Sequence, residues 1–211
     1  MFYLRLNKLR ILNNHQLLGE ANVQLMSFVT LGKADFPMLD EFFQINDPQK
    51  KMDLVSQAIT KVVCSRVTPA IEHIRDNQKI YFGDTGYNVF VSDSIPDDLN
   101  WMLLAVKSNQ KVRDNAELLT TILSQSNISS IVKVIGTLAG ATNPVIGAIT
   151  VLSGFVADSL LTLYKNDKDK QLGLLLTSFI RQEHYPHGKR DKEDVPDTTG
   201  NMKIDYTIFA Y

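Results

Sequence analysis

Phe2-Tyr3-Leu4-Arg5-Leu6-Asn7-Lys8-Leu9-Arg10-Ile11-Leu12 opens the chain, and its alternation decides the fold class. Phe2, Leu4 and Leu6 share one parity, and Leu9 and Ile11 share the other. A period of two with one slip predicts a half-buried strand carrying a bulge near Asn7 and Lys8. The far end answers it: in Met202-Lys-Ile-Asp-Tyr-Thr-Ile-Phe-Ala-Tyr211, the residues Met202, Ile204, Tyr206, Ile208 and Ala210 fall on one face. That face could close a sheet. Pairing of the two ends would make residues 1–211 one domain.

Between the ends the period changes. After the polar turn Asn13-Asn14-His15, a second strand reads from Ala21 to Leu31 and stops at Gly32-Lys33. A short helix is expected around Met38 to Phe43. Asp47-Pro48 then gives an N-cap with proline at the first helical position, and Met52, Val55, Ile59 and Val62 come after it at helical spacing. Thr68-Pro69 repeats that start signal and predicts a helix to about Ile74. Ile80 to Phe82 and Tyr87 to Val91 flank Gly83-Asp84-Thr85-Gly86, which reads as a hairpin. Leu99 to Val106 adds a strand, and Val112, Ala116, Leu119 and Leu123 a further helix. Strand-like runs recur at Leu160 to Tyr164 and Leu172 to Ile180, and the polar stretch Arg181 to Thr199 reads as a long loop. The expected fold is α+β: an antiparallel β-sheet or sandwich with central helical insertions at about 38–76 and 110–159.

With 211 residues, 44% hydrophobic and 21% charged, the chain has a globular composition and can bury roughly 70% of its unfolded surface without a disulfide or structural metal. Its 22 Lys+Arg against 23 Asp+Glu leave a formal charge of −1, and no basic segment forms a nucleic-acid footprint. Arg5, Lys8 and Arg10 interrupt the apolar run that a signal peptide would keep, so the N-terminus reads as mature sequence. The single cysteine, Cys64, favours a reducing compartment such as the cytoplasm.

One segment stands apart. Residues 134–157 carry no charge between Lys133 and Asp158, long enough to weigh against a bilayer. Asn143-Pro144 breaks it into two expected helices, about 129–141 and 144–159. Each would reach only roughly 20 to 24 Å at 1.5 Å per residue, short of a hydrocarbon core. Gly136, Gly140, Gly147 and Gly154 punctuate the pair, and the spacing Gly136-x-x-x-Gly140 is one that lets helix backbones approach closely. On that reading, leucine at position 140 would overpack a helix contact. The simpler expectation is a buried hairpin in a soluble protein; the functional one is a hairpin that contacts membrane or a partner.

Catalytic and metal motifs are sparse. His184 and His187 have ligand-like spacing, but Pro186 lies between them and the acidic and basic residues around them can pair with one another. Cys64 sits among valines on a predicted helix, where a small core residue is the simpler reading. Gly83-Asp84-Thr85-Gly86 lacks the following helix of a phosphate loop. Nothing here predicts an enzyme, and none of these residues calls for a cofactor.

The run Leu161-Thr-Leu-Tyr164-Lys165-Asn166-Asp167-Lys168-Asp169-Lys170-Gln171-Leu172-Gly173, together with the two terminal strands, resembles C2 domains. These are β-sandwiches whose loops hold calcium and dock on anionic lipid. The resemblance implies Asp167 and Asp169 as calcium ligands, although Lys165, Lys168 and Lys170 oppose a cation there. It also implies a non-enzymatic binding protein contacting a membrane surface or a protein partner, through Gly136, Gly140, Gly147 and Gly154 if the hairpin makes the contact. From a different class comes a toxin-like or effector protein that inserts the glycine-rich hairpin 129–159 into membrane.

Overall fold

The computed structural model describes residues 1–16, 19–67, 70–107, 114–125, 128–165 and 170–211. They form two compact units: one from Met1–Val29, Val67–Lys111 and Tyr164–Tyr211, the other from Thr30–Arg66 and Val112–Leu163. The architecture is α+β, with two antiparallel sheets in the first unit and helices in the second.

In the first sheet, β1 (Phe2–Ile11) lies beside β10 (Met202–Ala210), which in turn pairs with β9 (Gly188–Pro196). The register Phe2↔Ala210 to Ile11↔Met202 joins the two ends of the chain, as the alternation predicts. It slips between Leu6 and Lys8, where the parity of the sequence changes. The bulge keeps Phe2, Leu4, Leu6, Leu9 and Ile11 all buried despite that change. Backbone bonds continue the ladder at both ends, from Tyr211 N to Met1 O at 2.9 Å and from Leu12 N to Asn201 O at 2.8 Å.

The second sheet runs in the order β4 (Ala70–Ile74), β2 (Ala21–Thr30), β7 (Asp98–Lys107), β8 (Lys170–Ile180), with the two-residue β3 (Arg66–Val67) also on β2. The sheets pack as a sandwich: the Tyr206 ring meets Trp101 edge-on at 5.5 Å and Phe179 at 5.7 Å. Trp101 is fully buried because its indole N–H finds the Ser27 hydroxyl at 2.8 Å. Asp197, also buried, accepts from Leu174 N, Asn201 N, Met202 N and the Thr199 hydroxyl. Asn201 donates to Leu172 O and Asn13 O. One carboxylate and one amide thus fasten the β9–β10 turn to β8 and to the chain leaving β1.

In the second unit, α3 (Pro48–Cys64) is flanked by α2 (Pro37–Gln44), α4 (Asn115–Gln125) and α5 (Ile128–Gly136). The start signal holds: the Asp47 side chain accepts from Gln49 N and Lys50 N, and Pro48 is first in the helix. Leu54, Val55, Ala58, Ile59, Val62 and Val63 form its buried stripe. A four-residue turn, α1 (Gly32–Asp35), comes after β2, and Asp35 holds Lys61 at 3.0 Å.

Four expectations fail. Ala70–Ile74 is a strand, not a helix, paired antiparallel to β2 with Ala21↔Ile74 and Val23↔Ile71; Thr68 and Pro69, which carry the start signal, lie outside the described residues. Residues 80–91 are not a hairpin: β5 (Lys79–Tyr81) and β6 (Tyr87–Ser92) both pair with β1, as one edge strand interrupted opposite its bulge. Gly86, at φ +73°, passes so close to Asn7 that a Cβ would lie 2.6 Å from its side-chain oxygen. Leu160 to Tyr164 is not a strand, because α6 (Pro144–Lys165) runs through it and Leu160 continues its buried stripe. The polar stretch 181–199 is not a loop: α7 (Arg181–His184) and β9 occupy most of it.

Candidate functional site

The uncharged segment 134–157 folds as a broken helical pair. α5 ends at Gly136, a 3₁₀ turn spans Thr137–Gly140, and α6 starts at Pro144, where Gly147 N donates to Asn143 O at 3.1 Å. The interruption is as predicted, since proline fits a first helical turn and ends what precedes it. The second half is longer than expected. At 22 residues, α6 reaches roughly 33 Å, about the thickness of a hydrocarbon core.

A stripe of this pair is buried, not the whole. On α6, Val145, Ala148, Ile149, Leu152, Val156 and Leu160 recur at helical spacing and are almost without exposure. Ile146, Val151, Phe155 and Leu161 are only half-buried. On α5, Ile135 is buried, whereas Ile131 and Val132 are half-buried and Val134 is 46% exposed. The stretch Pro144–Thr162 has a mean hydropathy of 1.8; 39% of its residues are buried, most of the others are half-buried, and Thr150, Asp158 and Thr162 are exposed. Three threonine hydroxyls of this pair are already satisfied: Thr137, Thr150 and Thr162 donate to the nearby carbonyls Val134 O, Ile146 O and Asp158 O. Away from Lys133 and Asp158, the open face can leave water without orphaning these donors.

The glycines do not serve as a close-approach motif. Gly136 and Gly140 are exposed, and an added Cβ on either would meet nothing within 4 Å. Gly154 is equally open. Gly147 is the one under contact, with the Leu138 Cδ1 atom 3.1 Å from where its Cβ would be. The two segments therefore meet at Gly147 and Leu138, a pairing that the Gly136-x-x-x-Gly140 spacing does not announce.

The other candidates separate. Asp167 and Asp169 lie outside the described residues, and among the described residues no three His, Cys, Asp or Glu side chains gather as a metal would require. His184 Nδ1 lies 3.0 Å from Ile180 N, and its ring stands edge-on to Phe179, while the His187 ring lies against Tyr211 at 4.4 Å. The two imidazoles are thus engaged apart. Cys64, expected in the core, is exposed at the end of α3. Glu20, His73 and Arg75 line a shallow polar hollow of about 410 Å³ that pairs them with one another: Glu20 holds Arg75 at 2.9 Å and His73 at 3.3 Å. No sequence signal announces this cluster, whose members are remote along the chain and carry no motif.

Lys8 and Asp191 in the first unit are likewise paired. Lys8, 12% exposed, binds Asp205 at 2.7 Å and Asp194 at 3.5 Å, and the hydrogen bond to Asp205 pushes its ammonium above the ordinary lysine range. The Lys189 hydrogen bond, and after it that of Thr207, lowers Asp191 below the ordinary carboxylate range. Tyr185 is fully buried, its hydroxyl has no partner among the described residues, and burial is the main reason its ionisation is pushed far up.

The fold and the open helical face define the chain as an α+β protein built on a two-sheet sandwich. No protein family, curated protein or solved structure matches it.

Proposed function

We propose that the chain is a non-enzymatic binding protein of C2-like type whose contact is a lipid membrane surface, made through the open face of α5 and α6. The observation that carries this reading is the apolar stretch Pro144–Thr162, whose Ile146, Val151, Phe155 and Leu161 are only half-buried, beside Val134 at 46% exposure. A core helix of that hydropathy would be covered more fully, and apolar surface left partly open is suited to a contact. Lipid is favoured as the occupant because Asp158 is the one charge within Pro144–Thr162, near its end, and Thr150 and Thr162 already bond within their own helix. The sandwich built from both chain ends supports the C2-like side of the reading, and no ion enters it.

Val134→Asp combined with Ala139→Asp places charge on two exposed positions without touching the buried stripe. The wild-type chain should co-sediment with phosphatidylcholine/phosphatidylserine vesicles, and the double variant should lose that affinity while melting within about 0.5 kcal/mol of it. Equal sedimentation of the two, or none by the wild type, would refute the reading. The length of α6 favours a second reading, a toxin-like or effector protein that inserts the hairpin. Dye release from the same vesicles would select it, whereas surface docking leaves them sealed.

A further inference from the structure

Three cations stand in one row across three strands of the first sheet. Arg10 on β1 is the register partner of Lys79 on β5 and of Lys203 on β10, with neighbouring Cα atoms roughly 5 Å apart. All three belong to the outer face. Their chain neighbours Leu9, Ile11, Met202 and Ile204 are buried, whereas Lys79 is exposed and Arg10 and Lys203 are half-buried.

Like charges directly opposite oppose strand pairing, and the same face avoids them elsewhere. In the adjoining row Lys8 is answered by Asp205 and Asp194, and on β9 Lys189 is answered by Asp191 at 2.8 Å. Those carboxylates are therefore already engaged. Among the described residues, the side chains of Arg10, Lys79 and Lys203 make no hydrogen bond or ion pair beyond the backbone ladder. The Nε of Arg10 is moreover shut off from solvent and lacks an acceptor. A buried, unbonded guanidinium N–H calls for one. Tyr81, 66% exposed, stands beside Lys8 on β5, so an aromatic ring flanks the row.

We propose that the row Lys79–Arg10–Lys203 binds a phosphate-type oxyanion, with the Arg10 guanidinium making the planar contact and the two lysines closing on either side. The guanidinium fork matches two oxygens of a phosphoryl group, and ammonium groups bind the remaining charge as points. A phosphate can come from a soluble phosphorylated molecule or from a lipid headgroup, and the chemistry of the row is the same for both. The site is built on sheet strands and does not depend on the open face of α5 and α6.

Calorimetric titration at low ionic strength with inorganic pyrophosphate tests the soluble source. Sedimentation with vesicles containing phosphatidylinositol phosphate, against vesicles of phosphatidylcholine alone, tests the lipid one. Saturable binding in either arm is expected. Arg10→Lys, which keeps the charge but loses the fork, and Lys203→Gln should each weaken it by about tenfold or more. Lys50→Gln, an exposed cation on α3, should leave it unchanged. Binding in the first arm assigns a soluble ligand, and binding in the second alone assigns a headgroup. No saturable binding in either arm, or equal loss in Lys50→Gln, would overturn the proposal.

Discussion

β10 and α6 are both rich in apolar residues, and they use that character in opposite ways. Met202, Ile204, Tyr206, Ile208 and Ala210 are all buried on one face of β10, while Lys203 and Asp205 stay on the other. On α6 the apolar residues run almost all round, and the buried stripe takes only part of them. A strand with a period of two separates its faces completely, so sequence and burial agree. A helix that is apolar beyond its stripe holds more hydrophobic surface than its own unit covers. Burial on β10 belongs to folding, and the half-buried remainder of α6 is what the proposed contact would use.

The sharpest way to break that comparison is to remove the strand. Deleting Met202–Tyr211 takes four large side chains from the inner face, each contributing about 1.5 to 3 kcal/mol. Their sum rivals the whole stability of a typical domain, about 5 to 15 kcal/mol. The deletion also strips β1 and β9 of their common neighbour. The shortened chain should show no cooperative melting by circular dichroism. A soluble, cooperatively melting product would deny β10 its place as the centre of the sheet.

Legibility in the sequence divides along the same line. Where one face is buried, the period showed the element, down to the slip at Asn7-Lys8 that became a bulge and the Asp47-Pro48 cap of α3. β9 was illegible because neither face is buried: Lys189 to Asp194 are all exposed, and their charges suit an unpartnered edge. The interruption between β5 and β6 was legible as Gly and Asp but not as a step within one strand, since only the partner β1 distinguishes that from a hairpin. The apolar pair was recognised, and its break placed, but the residues at which its segments meet were not. The cationic row was invisible, since Arg10, Lys79 and Lys203 become neighbours only through strand register.

A smaller effect should come from the close contact between β8 and β10. A Cβ on Gly173 would lie 2.5 Å from the Met202 Cβ. Gly173→Ala should cost about 1 to 3 kcal/mol, read as a fall in melting temperature. Met202→Ala should not rescue it, because the nearest atom remains. Full rescue would mean that the thioether, not the backbone spacing, sets the contact.

The charged outer face should show itself through pH. Lys8 is raised in the folded state, so its contribution is fully present below the unfolded value of about 10.4 and is lost as pH climbs through the folded one. Asp191 is lowered, so its contribution is present above about 3.9 and is lost as pH falls through its folded value. Replacing Lys8 by Met should remove about 1.5 to 3 kcal/mol at neutral pH and flatten the alkaline limb of a denaturation series, leaving the acid limb in place. An unchanged alkaline limb would place its origin elsewhere.

The smallest expected effect bears most directly on α6. If its neighbourhood were a tight helix crossing at Gly140, Gly140→Leu would overpack it and lower the melting temperature. The position is instead exposed, with nothing within 4 Å of an added Cβ, so leucine has room and stability should stay within about 0.5 kcal/mol. Gly147→Leu should behave differently, because its Cβ would press on Leu138 at 3.1 Å, against the movable end of that side chain. A drop of about 1 kcal/mol at 147 beside none at 140 would place the meeting of the two segments at Leu138 and Gly147. The reverse order would restore the Gly136-x-x-x-Gly140 crossing and cover the surface that the proposed membrane docking would use, which makes this pair of small measurements a check on the larger functional reading.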